Sequence, residues 1–191
     1  TFNTTEEHTA TNNGSGTFSF LANDGSTNIT IKEGTKKIKT FIAGNSTDAN
    51  YYIVPDPNMD TSTIVVKVYD TTGSTNFVSY TNIKAATNVT SASRLFIVRE
   101  TANGYFELTF SEGNVLGKAA IAGNYIVVTY ISTKGAAANG AESFSTSETI
   151  RLNSTNFALI PVKKSASSGG DSKESISSIK LNAPTAFICT P

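Results

Sequence analysis

The 191-residue chain carries 15 basic and 15 acidic side chains, and only 16% of it is charged, so it lacks the concentrated positive charge of a nucleic-acid binder. Its single cysteine, Cys189, excludes an internal disulfide and a cysteine-built zinc site, and no apolar run approaches the ~20 residues that span a bilayer. The opening TFNTTEEHTATNNGSG has neither the charged nor the apolar region of an export signal, so the sequence reads as soluble and long enough to bury a core without staples.

Period-two alternation recurs along the chain and predicts short strands. In order they are TFSFL (17–21), NITIK (28–32), KIKTFI (37–42), YYIV (51–54), TIVVKVY (63–69), NFVSY (76–80), LFIV (95–98), GYFELTF (104–110), YIVVTYI (125–131), ETIRL (148–152) and FALIPV (157–162). Ile64, Val66 and Val68 share one face of TIVVKVY, and Phe106, Leu108 and Phe110 share one face of GYFELTF. YIVVTYI is apolar on both faces, as a central strand would be. Between the strands lie NDGS (23–26), KEGT (32–35), TTGS (71–74), ANG (102–104), SEGN (111–114), AGN (122–124) and ANG (138–140), whose glycines and asparagines accept the positive φ of tight turns. The expected fold is all-β, an antiparallel sandwich or barrel-like domain over residues 1–162, with a candidate internal boundary near 45–50.

The strand pattern stops near Val162. KKSASSGGDSK (163–173) is small and polar, the composition of a flexible linker. In ESISSIKLNAPTAFICTP (174–191), Ile176 and Ile179 lie three apart, Asp171 and Glu174 stand at capping-box spacing, and Pro184 ends the run. A short helix is predicted, too short to stand alone because helix nucleation is costly below ~12 residues.

Strings that resemble chemical sites are each incomplete. DPNMD (56–60) has oxygen ligands at positions 1, 3 and 5 of a calcium loop, but Thr61 replaces the loop's glycine and Lys67 its bidentate glutamate. GNVLGKA (113–119) has three residues between glycines where a phosphate loop needs four, and Ala119 in place of the magnesium-binding hydroxyl. Six Asn-x-Ser/Thr sequons among 18 asparagines are close to chance. With one histidine, His8, no tryptophan and no motif placing two carboxylates together, the expectation is no enzyme, no metal, no cofactor and no small-molecule substrate.

Three blocks carry a family resemblance. In GYFELTFSEGNVLGKAAIAGNYIVVTYISTKGAAANGAESFS (104–145) a strand ending at Phe110 meets a turn at Glu112-Gly113, then Gly117-Lys118, Gly123-Asn124 opening a strand, and an Ala138-Asn139-Gly140 turn. YYIVPDPNMDTSTIVVKVY (51–69) has a Pro-containing turn and an Asp60-Thr61-Ser62-Thr63 entry into a strand, and GGDSKESISSIKLNAPTAF (169–187) a short helix ending Asn182-Ala183-Pro184. In this order the blocks resemble T-even-type phage baseplate wedge proteins, relatives of the baseplate-J-like family. Ser111 departs from that family's usual glycine.

The resemblance implies a structural subunit of a contractile-tail baseplate, located in the virion and assembled in the host cytoplasm, whose partners are copies of itself and other wedge proteins. It also implies that 174–191 begins a further domain of a longer chain. The positions that carry it are Asp60, Thr61, Phe110, Gly113, Gly117, Lys118, Gly123, Asn124, Asn139, Gly140, Asn182 and Pro184. From the residues alone a second reading stands beside it, an immunoglobulin-like adhesin or carbohydrate-binding module. Tyr51, Tyr52, Tyr80 and Tyr105 would then be its aromatic platforms.

Overall fold

The computed structural model describes all residues except 7, 16, 22–24, 45–50, 111–116, 153, 176, 179 and 182–191. The chain forms two compact units, Thr1–Thr133 and Lys134–Pro191. The first holds β1 (Phe2–Asn3), β2 (Thr9–Gly14), β3 (Thr17–Leu21), β4 (Lys32–Glu33), β5 (Thr35–Ile42), β6 (Tyr51–Val54), β7 (Met59–Tyr69), β8 (Phe77–Asn82), β9 (Leu95–Glu100), β10 (Phe106–Phe110) and β11 (Tyr125–Ser132). The second holds β12 (Thr149–Leu152) and β13 (Thr155–Ala158).

Seven strands form one sheet in the order β5-β11-β7-β8-β9-β10-β6. The all-β expectation holds, and YIVVTYI is a central strand between β5 and β7. One pairing departs from the antiparallel expectation: β8 and β9 run parallel, through Thr81↔Leu95 and Asn82↔Phe96. Parallel neighbours need a long crossover. The intervening 83–94, which starts with a 3-10 turn at Ile83–Ala85, carries the chain back to enter β9 in the same direction.

The sheet curls so that its alternating residues share one core. Val66 and Val68 of β7, Tyr80 of β8 and Ile126, Val128 and Tyr130 of β11 are buried together with Tyr52 and Val54 of β6, Phe96 of β9 and Phe106, Leu108 and Phe110 of β10. Each fully buried side chain of this kind contributes ~1.5–3 kcal/mol. Phe110 takes Tyr80 and Tyr52 edge-on at centroid distances of 5.0 and 5.4 Å. Phe41 of edge strand β5 meets Tyr52 of the other edge, β6, at 5.3 Å. The two edges therefore touch through side chains, and the sheet is nearly a closed barrel.

Elsewhere the expected strands shift or shorten. NITIK contributes only Lys32 to a strand, and FALIPV is paired only as far as Ala158. Pro161 has no N–H to continue that ladder, and Ile160 and Val162 stand 85% and 91% exposed. The polar TATNNG forms β2, unanticipated because it lacks alternation; the hairpin signal was Asn13-Gly14, with Gly14 at φ 85°.

β7 carries a large irregular bulge against β11, where the register jumps from Val65↔Thr129 to Asp60↔Ile131, so that residues 61–64 stand opposite Tyr130 alone. The Asp-Thr-Ser-Thr sequence builds it. Asp60 Oδ1 accepts the Ser62 N–H at 2.9 Å, and the buried Thr63 hydroxyl donates to Asp60 O at 2.7 Å while accepting the Ile131 N–H at 2.9 Å. Thr63→Val keeps the shape and strands a buried N–H and a carbonyl, so urea denaturation should show a loss of ~1.5 kcal/mol. A change within error would mean the bulge is held by its flanking strands alone.

In the second unit β12 and β13 form a hairpin, and a 3-10 turn spans Gly135–Ala138. Residues 163–173 belong to this unit. Within them the Ser167 N–H donates to Ala141 O at 3.0 Å and Ser167 O accepts the Gly140 N–H at 2.8 Å. Ser177, Ser178, Lys180 and Leu181 are helical. The cap is Ser175, whose Oγ accepts the Ser178 N–H at 3.2 Å, and not Asp171, whose carboxylate turns to the adjacent Ser172 N–H. A serine is as good a cap as an aspartate, and this one lies four residues closer to the helix.

Candidate functional site

Two places in the first unit concentrate functional groups, the seam between the sheet's edges and the outer face of β5, β11, β7 and β8. At the seam Lys37 of β5 donates to Asp56 Oδ2 at 2.7 Å. Asp56 follows β6 and is only 6% exposed. Its Oδ1 accepts the Asn58 N–H at 3.0 Å, and its carboxylate is also bonded by the side chains of Ser132 and Tyr130. Burial by itself raises the Asp56 pKa, but the bonds from Lys37, Ser132 and Asn58, with the Lys37 charge, outweigh it and hold the carboxyl below its usual range. The Tyr130 phenol is pushed up to about 12, by burial first and then by Asp56.

This cluster is therefore an ionised acid held by several donors and a neutral phenol bonded to it. Neither is poised to trade a proton near neutral pH, and the geometry suits a clasp between two strand edges. Asp60 is engaged separately, by Lys32 at 3.3 Å and by Ser62. Burial would raise its pKa too, and Ser62 and Lys32 hold it below the ordinary value. The carboxylates of DPNMD thus turn to two different lysines, and among the described residues no three Asp, Glu, His or Cys side chains converge as a metal site would require.

The twelve family-motif positions scatter over both units. Asp60 and Thr61 lie in the β7 bulge, Thr61 exposed. Phe110 is in the core at 5% exposure. Gly117 is buried at φ 85°, and the Lys118 N–H donates to Ser93 O at 2.7 Å. Gly123 and Asn124 act together: the Gly123 N–H donates to Ala43 O at 2.8 Å, Asn124 O accepts the Ala43 N–H at 2.9 Å, and Asn124 Nδ2 donates to Asp70 O at 3.2 Å. They tie the ends of β5, β11 and β7 to one another. In the second unit Asn139 exchanges two hydrogen bonds with the Gly170 backbone, at 2.8 and 2.9 Å, and Gly140 turns at φ 82°. Gly113, Asn182 and Pro184 lie outside the described residues.

Above the Gly123-Asn124 tie lies the outer face. Register places Ile42, Tyr125, Tyr69 and Phe77 side by side across β5, β11, β7 and β8. Their chain neighbours Ile126 and Val68 point into the core. Tyr69 touches Phe77 and Tyr125 at centroid distances of 5.3 and 6.3 Å, and Lys67 Nζ sits 4.3 Å from the Phe77 ring centroid. The same face continues through Thr40 and Val127 to Ile38, Thr129 and Val65. Ile38 and Ile42 are each 64% exposed and Phe77 is 43% exposed. The second apolar face of YIVVTYI was its sequence signal, but register alone brings Ile42 and Phe77 beside it.

Of the four tyrosines offered as sugar platforms, Tyr52 and Tyr80 are core residues and Tyr105 is half-buried; Tyr51, at 58%, is the exposed one. No helix among the described residues is long and apolar enough to cross a membrane.

The chain is 31% identical over 133 residues to "Baseplate wedge protein gp6" of Enterobacteria phage T4, a match covering 62% of this chain and 19% of that protein. The chain thus spans about a fifth of the length of that relative. No protein-family model matches the chain, and no solved structure does.

Proposed function

We propose that this chain is a structural segment of a contractile-tail baseplate wedge, a rigid β-scaffold whose work is protein–protein assembly around the tail hub. The similarity to the phage T4 wedge protein carries the reading. Supporting it are a seam in which Lys37, Asn58 and Ser132 hold the buried Asp56 carboxylate, and an exposed apolar row, Ile38, Ile42 and Phe77, on the outer face of the sheet. The role proposed is non-catalytic, in the virion tail, with copies of itself and other wedge proteins as partners. The baseplate-J-like relationship is part of the same proposal.

The full-length protein, mixed with the structural proteins encoded beside it, should elute by size-exclusion chromatography with light scattering as a defined complex. Antibodies against this chain should label the tail tip in electron micrographs of virions. Stable monomeric behaviour with every such protein present, and label absent from tails, would sink the reading.

A further inference from the structure

We infer that Asn13 is a site of spontaneous covalent modification, where the side-chain amide is lost and an aspartate or isoaspartate takes its place, while the fold holds the other two Asn-Gly pairs of the chain against the same reaction. The inference lies outside the assembly reading, and its failure would leave that reading untouched.

The chemistry needs only the chain and water. The backbone nitrogen of the residue after an asparagine attacks the side-chain Cγ and closes a succinimide ring. The Cγ–Nδ2 bond breaks, and the amide leaves as ammonia with the proton that the backbone nitrogen gives up. Water then opens the ring at one carbonyl or the other. One opening leaves aspartate, and the other routes the main chain through the side chain as isoaspartate. A following glycine favours the attack because it has no Cβ to block the approach and its backbone turns freely. The sequence holds three such pairs, Asn13-Gly14, Asn103-Gly104 and Asn139-Gly140.

The reaction requires the glycine N–H to leave its acceptor and the asparagine side chain to swing onto it, so each hydrogen bond at the pair opposes it. Asn139 is held at both ends. The Gly140 N–H donates to Ser167 O at 2.8 Å, and the Asn139 amide donates to Gly170 O at 2.8 Å and accepts the Gly170 N–H at 2.9 Å. Asn103 is clamped between the paired strands β9 and β10. The Gly104 N–H donates to Thr101 O at 2.9 Å, and Asn103 Oδ1 accepts the Thr101 hydroxyl at 2.5 Å and the Tyr105 N–H at 3.2 Å.

Asn13 is held least. The β2–β3 register steps from Asn12↔Phe18 to Gly14↔Thr17, so Asn13 is passed over and has no partner in the ladder. Its side chain is exposed, and among the described residues its one hydrogen bond is a long one, from the Ser19 hydroxyl to Oδ1 at 3.3 Å. The Gly14 N–H rests at 2.9 Å on the side chain of Asn12, itself exposed and free to turn away. Ser15 follows at φ 53°, a conformation costly for a residue with a Cβ. The hairpin has only two strands, so opening it locally costs little.

The full chain is incubated at mildly alkaline pH, folded and in concentrated urea. Peptide mapping by mass spectrometry follows the three asparagines, and isoaspartate methyltransferase labelling gives a second readout. The urea sample sets the rate of each pair without structure. In the folded protein Asn13 should convert within about threefold of its urea rate, and Asn103 and Asn139 at least about tenfold more slowly than theirs. Each event turns a neutral amide into a carboxylate on a chain of formal net charge zero, so the product also focuses at lower pH. Asn13→Gln should remove the early acidic form, because glutamine closes its larger ring far more slowly. Protection of Asn13 equal to that of Asn103 and Asn139 overturns the inference. So does conversion of either of those in the folded chain as fast as Asn13. An acidic form that accumulates unchanged in Asn13→Gln overturns it as well, by placing the reaction elsewhere.

Discussion

Gly34→Ala should destabilise the first unit by about 3 kcal/mol, the largest effect expected of any single methyl added to this chain. Gly34 sits between β4 and β5 at φ 134°, a conformation that residues with a Cβ rarely adopt. A Cβ there would fall 2.5 Å from Ile131 Cγ2 and press on the Ser132 backbone carbonyl. Neither neighbour can give way: Ile131 is fully buried, and Ser132 pairs with Thr35 and Met59. Gly34 also donates its N–H to Thr1 O at 2.9 Å and accepts from Asn3 Nδ2, so a shift here loosens the N-terminal segment from the sheet.

Gly73 separates the two causes. It has a positive φ of 84° but open space where a Cβ would stand, so Gly73→Ala should cost only about 1 kcal/mol, from backbone strain alone. Urea denaturation of both variants reads the difference. Equal losses would show that the contact at Gly34 relaxes and that only the backbone angle matters.

Gly34 also marks where the sequence stops being readable. KEGT has the composition of a hairpin turn, yet Gly34 is where one strand pair gives way to another against β11, a need set by Ile131 and Ser132, almost a hundred residues away. By contrast Val66 with Val68, and Phe106 with Leu108, were legible as sharing one face of their strands, the face that the core buries, because strand alternation is local and a buried face enforces it. The parallel β8–β9 pair was not legible, since nothing in FVSYTN or LFIVRE encodes the direction of a neighbour. The candidate site divides the same way. Tyr125 and Val127 were visible as a second apolar face, whereas the row from Ile42 to Phe77 exists only through the register of four strands. Lys37, Asp56 and Tyr130 share no motif, and the curl of the sheet brings them together.

That cluster carries the second large prediction, a pH dependence with two limbs. On the acid side the folded pKa of Asp56 lies below its unfolded value. Its stabilisation is complete above about pH 4, the ordinary carboxylate pKa, and fades as pH falls through the lower folded value. Asp56→Asn should therefore cost about 2 kcal/mol at pH 7, since Lys37 and Tyr130 lose a charged acceptor. The gap to the parent protein should narrow below about pH 4. On the alkaline side the signs reverse. Tyr130 moves from 10.0 unfolded to about 12 folded, so the unfolded chain releases this proton first. Stability is complete below pH 10 and is lost as pH climbs toward 12, by roughly 2–3 kcal/mol for a shift of that size. Tyr130→Phe removes the titrating group and should lose about 1 kcal/mol at neutral pH through the missing hydrogen bond. From pH 10 to 12 it should fall less steeply than the parent, keeping only the slope from the other raised phenols, Tyr52 and Tyr80. Denaturant melts at pH 3, 7, 9.5 and 11.5 measure both limbs. If the Tyr130→Phe protein parallels the parent above pH 10, Tyr130 is not the group whose proton holds the seam, and Asp56 closes it with Lys37 alone.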